Sequence, residues 1–191
     1  MKICFATHNE NKLKEINQIL RDFEIVGLND IGCTEEIPET GSTLDENSKI
    51  KADFVAEKYN IPCFADDTGL EVEVLNGEPG VYSARYAGGE RDNQANINLL
   101  LKNLETHSNR SARFRTVITL ILNGDSHQFE GIINGRIIEE FRGEGGFGYD
   151  PIFIPDGHEQ TFAEMSAEVK NSISHRGRAV AKLVKYLENK A

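Results

Sequence analysis

Two adjacent carboxylates, Asp66 and Asp67, follow the apolar run Cys63-Phe64-Ala65 and precede Thr68-Gly69. Neighbouring carboxylates leaving a buried strand together repel each other, and a cation beside them relieves that cost. The pair reads either as a Mg2+ site with one carboxylate activating a water, or as a turn in which Asp and Gly serve backbone geometry. Asp67-Thr68-Gly69 also spells the aspartic-peptidase triplet. That chemistry needs two aspartates sharing a proton, hence a second triplet or a symmetric β-rich dimer. The sequence holds no second triplet and too many helical segments, so the peptidase reading is rejected.

Three other clusters could carry chemistry. Thr7-His8-Asn9-Glu10-Asn11-Lys12 lies between a strand and a helix, where free N–H groups and the helix dipole favour a phosphate. The same residues also suit a plain Asn or Thr helix cap, and no Walker A pattern occurs in the chain. Gly143, Gly145 and Gly148 match G-x-G-x-x-G, but Tyr149-Asp150-Pro151 follows where a dinucleotide fold would open a helix. That loop presents Phe147 either for stacking on a base or for closing the core. Lys170 and Ser174-His175-Arg176-Gly177-Arg178 gather donors suited to a phosphate or a base carbonyl, or form a solvated helix start. The histidines show no metal-ligand spacing such as HExxH.

Apolar periodicity predicts the elements that carry these groups. A strand over residues 2–6 leads into a helix with Leu13, Ile16 and Leu20 on one face, then a strand from Glu24 to Leu28. A polar loop from Asn29 to Ser42 ends at Thr43-Leu44-Asp45-Glu46, a capping-box start to the next helix. Cys63–Ala65 and Leu70–Leu75 read as separate strands, with a glycine-rich loop from Asn76 to Glu90 after them. Asp92 caps a helix bearing Ile97, Leu100, Leu101 and Leu104. Phe114–Leu122 is the most β-prone run, and Asn123-Gly124 signals a hairpin. Phe129–Ile133 and Arg136–Phe141 would continue an antiparallel meander. The last helix shows Val180, Leu183, Val184 and Leu187 in register.

The pattern describes one α/β domain over residues 1–191, with helices flanking a sheet. The net charge of −10 argues against a broad nucleic-acid footprint, so a polyphosphate ligand would need local cations and a divalent metal. No apolar run approaches the length of a membrane-spanning helix, and the opening Met-Lys-Ile-Cys-Phe-Ala reads as a strand, so a secretory leader is not expected. Cys4, Cys33 and Cys63 are odd in number and widely spaced, as expected of buried thiols in a reducing compartment. A cytoplasmic location is expected.

Six blocks occur in order along the chain: Thr-x-Asn-x-x-Lys from Thr7, Glu-Thr-Gly-x-Thr-x-x-Glu-Asn from Glu39, Ala-Asp-Asp-Thr-Gly-Leu from Ala65, Pro-Gly-x-Tyr-Ser-Ala-Arg-Tyr from Pro79, Gly-Gly-Phe-Gly-Tyr-Asp-Pro from Gly145, and Ser-His-Arg-Gly from Ser174. Together they resemble the inosine triphosphate pyrophosphatase family, which removes deaminated purine nucleotides. The resemblance covers nearly the whole chain. It implies a two-lobed α/β fold with a long curved mixed sheet flanked by helices, an active-site cleft between lobes, and a homodimer. It further implies hydrolysis of ITP, dITP and XTP to the monophosphate and pyrophosphate.

By this resemblance Thr7, His8, Asn9 and Lys12 would hold the triphosphate with Lys51. Glu39 and Asp67 would ligate Mg2+, with Asp67 also the general base and Asp66 nearby. Thr68 would contact the substrate. Phe147 would stack on the purine, and Gly148, Tyr149, Asp150, Lys170, His175 and Arg176 would complete the base pocket. Donors facing a 6-keto oxygen would reject the 6-amino group of ATP. The chain departs from the family pattern at His8, often Gly, and at Thr68, often Ser. The implied partner is a purine nucleoside triphosphate, with neither nucleic acid nor membrane. Alternatives are a pyrophosphatase for modified pyrimidine nucleotides and a non-catalytic nucleotide-binding module; the latter predicts loss of Glu39, Asp66 and Asp67, yet all three are present.

Overall fold

Side-chain alternation across a pleated sheet sets where each early strand residue goes. The computed structural model describes residues 2–190. Its first half runs β1 (Lys2–Phe5), α1 (Glu10–Ile19), β2 (Glu24–Val26), α2 (Leu44–Tyr59) and β3 (Cys63–Val72). Then come α3 (Asn93–Asn103), β4 (Ser111–Leu122), β5 (Asp125–Ile137), β6 (Phe153–Pro155), α4 (Ala167–Ile173) and α5 (His175–Glu188). The six strands form one mixed sheet in the order β2-β1-β3-β4-β5-β6. β1 is parallel to β2 and β3, while β5 and β6 are antiparallel. The expected helix-flanked mixed sheet is thus found.

The chain packs as two compact units. One comprises the residues up to Asp67, Thr116–Gly131 and the residues from Arg176 onward; the other comprises Thr68–Arg115 and Ile132–His175. In the first unit Ile3, Phe5 and Phe64 face α1 and α5, which contribute Ile16, Val180, Leu183 and Leu187. Phe5 and Phe64 stack with ring centroids 4.7 Å apart. The alternate residues Cys4, Ala6, Cys63 and Ala65 face α2, which contributes Ala52 and Val55. The second unit packs Ile97 and Leu100 of α3 against Leu70, Val72, Phe114, Ile133 and Phe153 of the strands, with Phe162.

Several expectations about local structure are revised. The two short strands expected at Cys63–Ala65 and Leu70–Leu75 are one strand, β3, which runs through Asp66-Asp67-Thr68-Gly69 and ends in a 3-10 turn at Glu73–Leu75. No turn interrupts it, so the turn reading of the aspartates falls. The expected strands Phe129–Ile133 and Arg136–Phe141 likewise meet in one strand, β5, which ends at Ile137, so residues 138–141 lie outside it. Gly135 reads as a break in sequence, yet a Cβ there would collide with the Ile154 carbonyl of β6, which is close strand approach. The short helix α4 lacks a clear apolar period; Ser166 caps it by accepting from the Val169 N–H at 3.2 Å. His175–Arg178 form the first turn of α5, but His175 and Arg176 are buried there and not solvated. The strand expected to reach Leu28 stops at Val26.

The cap and turn signals hold. Asp92 Oδ1 accepts from the Ala95 N–H at 3.1 Å, and Asn123 and Gly124 both take positive φ, 54° and 86°, between β4 and β5. Thr43 Oγ1 accepts from the Glu46 N–H, but Glu46 reaches back to the Ser42 N–H at 2.6 Å, one residue before the partner a capping box uses. All three cysteines are buried and free. Burial pushes the Cys4 and Cys63 thiols up to about 12. We expect native protein at pH 8 to leave all three thiols unmodified by DTNB under conditions that titrate three in urea; rapid native labelling of any one would contradict this packing.

Candidate functional site

Successive residues of a strand point to opposite faces, so Asp66 continues the Phe64 face and Asp67 the Ala65 face. Asp66 accepts from Lys12 Nζ of α1 at 2.9 Å and from Arg176 Nε of α5 at 3.2 Å. Arg176 also pairs with Glu15, one turn beyond Lys12 on α1. Asp66 and Arg176 are essentially inaccessible, at 1% and 2% exposure. Burial pushes the Asp66 carboxyl up, but Lys12, Arg176 and Lys51 together outweigh it and hold the group well below the usual carboxylate range. Burial likewise lowers Lys12, against the opposing pull of Asp66.

Asp67 faces α2. Lys51 Nζ lies 3.7 Å from Asp67 Oδ1 and 3.4 Å from Glu39 Oε2. Burial raises the Asp67 carboxyl; Lys51 and Lys12 oppose the shift, while Glu39 and Asp66 reinforce it. The pleat therefore sends the two adjacent carboxylates toward different cations, Asp66 to Lys12 and Arg176 and Asp67 to Lys51. A carboxyl raised by burial beside a second carboxylate is a stronger base than a free aspartate.

The loop from β1 to α1 completes this first set. Thr7 Oγ1 accepts from the Asn9 N–H at 3.1 Å, and Asn9 Oδ1 accepts from the N–H groups of Asn11 and Lys12 at 3.0 and 3.2 Å. The cap reading of Asn9 is thus realised in this structure. His8 Nε2 lies 2.9 Å from the Glu35 carbonyl oxygen. The hydroxyl and amide groups sit at a helix N-terminus beside the end of parallel strand β1, a favoured place for an anion.

The second set lies in the other unit. Asp150 Oδ2 accepts from Lys170 Nζ at 2.7 Å and from the Phe147 N–H at 3.0 Å. The Lys170 ammonium sits 4.9 Å from the centre of the half-buried Phe147 ring. Gly146, at φ 67°, leaves the space that the Asp150 carboxylate fills. The buried Tyr149 hydroxyl donates to the Ser83 carbonyl at 2.7 Å. His175 stacks on Phe114 with centroids 4.6 Å apart. Thr68 follows Asp67 in β3 and is half-buried, and Gly148 takes φ 61° in the loop.

Of the expected site residues, Thr7, His8, Asn9, Lys12, Glu39, Lys51, Asp67 and Arg176 belong to the first unit, and Thr68, Phe147, Gly148, Tyr149, Asp150, Lys170 and His175 to the second. Arg176, expected with the base pocket, has its guanidinium on Asp66 and Glu15. Sequence reasoning missed Glu15, although its spacing of three from Lys12 places both on one face of α1.

Glu39 and Asp67, the two carboxylates expected to ligate Mg2+, both approach Lys51. Among the described residues no three His, Cys, Asp or Glu side chains group as a metal cage. Mg2+ is commonly held by one or two carboxylates, with phosphate oxygens and waters filling its shell. The set fits an ion that arrives with a triphosphate, and not a closed structural zinc site.

The Ham1 family profile matches residues 3–186. The chain belongs to the Ham1 family. It is 55% identical over 188 residues to a Christiangramia forsetii protein named dITP/XTP pyrophosphatase, covering 98% of this chain and 99% of the relative. A Bacillus subtilis protein of the same name is 48% identical, with 96% and 95% covered. Among solved structures, the Staphylococcus aureus Ham1 protein superposes with a TM-score of 0.91 at 39% identity, covering 100% of both chains. A HAM1 protein from Coxiella burnetii gives 0.91 at 40% identity, with 99% of each covered.

Removing one member of a buried ion pair strands its partners in a medium that solvates charge poorly. Asp66→Asn should lower unfolding free energy in urea by about 3–5 kcal/mol. A loss below about 1 kcal/mol, the range of an exposed pair, would show that Asp66 does not neutralise Lys12 and Arg176.

Proposed function

We propose that this chain hydrolyses ITP, dITP and XTP to the nucleoside monophosphate and pyrophosphate. One observation carries the reading: Asp67 and Glu39 converge on Lys51, beside the Lys12–Asp66 pair, in a Ham1 chain matching named dITP/XTP pyrophosphatases over 98% of its length. Lys12, Lys51, Thr7 and Asn9 bind the triphosphate. Asp67 takes the proton of the attacking water as its oxygen bonds to the α-phosphorus and the bond to the β-phosphate bridge breaks. Glu39 and Asp67 would hold Mg2+, which when bound would supply positive charge against the polyphosphate.

Phe147 offers its ring to the purine, with Lys170 and Asp150 fixing the loop that carries it. The donor chemistry of the base-side residues suits a 6-keto oxygen; a 6-amino group would set donor against donor. A homodimer and a cytoplasmic location belong to the same proposal. Among the described residues no helix is long and apolar enough to cross a membrane.

The deciding assay measures pyrophosphate release with Mg2+ from ITP and XTP against ATP, GTP, CTP and UTP. Release confined to ITP and XTP is expected; release from the pyrimidine triphosphates, or from none, would defeat the reading. Asp67→Asn should reduce kcat by about 10²–10⁴-fold, the range for a lost general base, in a protein that still unfolds cooperatively in urea, since Lys51 keeps Glu39 as a partner. Near-normal turnover would remove Asp67 from that role. Phe147→Ala should raise the KM for ITP several-fold if the ring stacks on the base, and an unchanged KM would return Phe147 to packing.

A further inference from the structure

Residues 36–41 carry neither helix nor strand, yet they include Glu39. Two tethers reach this segment from one face of α2. Lys51 holds the Glu39 carboxylate, and Asn47, one turn earlier, accepts the Gly41 N–H on Oδ1 at 2.7 Å. Residues four apart share a helix face, so the two tethers act side by side. Asn47 is only 2% exposed. A Cβ on Gly41 would stand 2.7 Å from Asn47 Oδ1 and 2.7 Å from Glu46 Cβ, so the backbone can approach this closely only as glycine.

The anchor itself is fixed. Ser48 Oγ lies 2.7 Å from Thr119 Oγ1 of β4, and Gln128 Nε2 of β5 donates to the same Thr119 oxygen at 3.0 Å and to the Asp45 carbonyl at 3.1 Å. Glu46 adds bonds to the Ser42 N–H and hydroxyl at 2.6 and 2.9 Å. The first turn of α2 is thereby bound to the sheet on one side and to the Glu39 segment on the other. From this geometry we infer that Asn47 is a positioning residue: through the Gly41 amide it sets the Glu39 carboxylate against Lys51 and Asp67, and so sets the affinity of the site for its divalent ion.

The inference rests on the proposed role of Glu39 in holding Mg2+. Hydrogen bonds that orient a metal-binding carboxylate are worth about 10- to 100-fold in metal affinity. The test compares Asn47→Ala, Asn47→Asp, which keeps an acceptor for Gly41, Glu39→Gln, and the exposed control Lys49→Ala. Mn2+ affinity is read from enzyme-dependent loss of the free-ion EPR signal with the non-hydrolysable α,β-methylene analogue of ITP. The Mg2+ concentration for half-maximal pyrophosphate release is measured beside it.

Asn47→Ala should weaken both by about 10- to 100-fold, with kcat at saturating Mg2+ nearly unchanged, while Asn47→Asp restores affinity and Lys49→Ala matches the parent chain. If Asn47→Ala does not fold, Asn47→Ser, too short to reach Gly41, takes its place with the same expectation. Unchanged metal affinity in the Ala or Ser variant, where Glu39→Gln loses it, overturns the positioning role alone, even if thermal stability falls. Unchanged affinity in Glu39→Gln overturns the metal reading of Glu39 and the inference with it.

Discussion

The period-two pleat of β3 is the constraint on which the rest of the site depends. Cys63, Ala65 and Asp67 fall on the α2 face, and Phe64 and Asp66 on the face of α1 and α5. The same alternation that sorts apolar residues into two cores carries on through the two aspartates. A one-residue slip would exchange them, placing Asp66 toward Lys51 and Asp67 toward Lys12 and Arg176. The parallel register of Cys4 with Cys63 and Phe5 with Phe64 excludes that slip. It does so with apolar packing, since Phe5 stacks on Phe64 directly before the charged positions. The chemistry is therefore placed by hydrophobic register, and ion pairs then fill the places so defined.

Electrostatics divides the two aspartates by function. Asp66, between Lys12 and Arg176, is held ionised and accepts donors on both oxygens. Asp67 is raised by burial, beside Glu39 and a single shared lysine. Around them Lys12, Lys51 and Arg176 pair with Glu15, Glu39, Asp66 and Asp67. A triphosphate entering such a cluster adds further negative charge. On the proposed function, a cation bound with the triphosphate would offset that charge.

Much of this was legible from sequence where the signal is local. Asn123-Gly124 fixed the hairpin because only residues tolerant of positive φ build it, and Asp92 and Thr43 announced their helices through side-chain oxygens near free N–H groups. What failed was non-local. Asp66-Asp67 looked like a strand end because a buried strand is not expected to carry two charges; Lys12, Lys51 and Arg176, which make it tolerable, come from three distant helices. The strands expected at Phe129–Ile133 and Arg136–Phe141 left Asn134 and Gly135 between them, because the backbone of β6 that fills the place of the absent Gly135 side chain is also distant. The ordered blocks named the family, but they did not reveal that Arg176 is committed to Asp66 and Glu15, because a motif records residue types and not partners.

The pairing also bears on how a substrate can be held. Lys12 is engaged by Asp66, and Lys51 by Glu39 and Asp67, so a phosphate that recruits either lysine competes with a carboxylate already in place. The competition is unequal. Asp66 that gives up Lys12 keeps Arg176, whose guanidinium is fixed by Glu15 on the same helix as Lys12. Glu39 and Asp67 share one ammonium, and a cation introduced with the phosphate would take the place of the charge they lose. Lys12 can therefore move toward a ligand at modest electrostatic cost with Asp66 still neutralised, whereas Lys51 can do so only if positive charge arrives with it. On the proposed function, a metal–triphosphate complex would therefore disturb these pairs less than a bare triphosphate would.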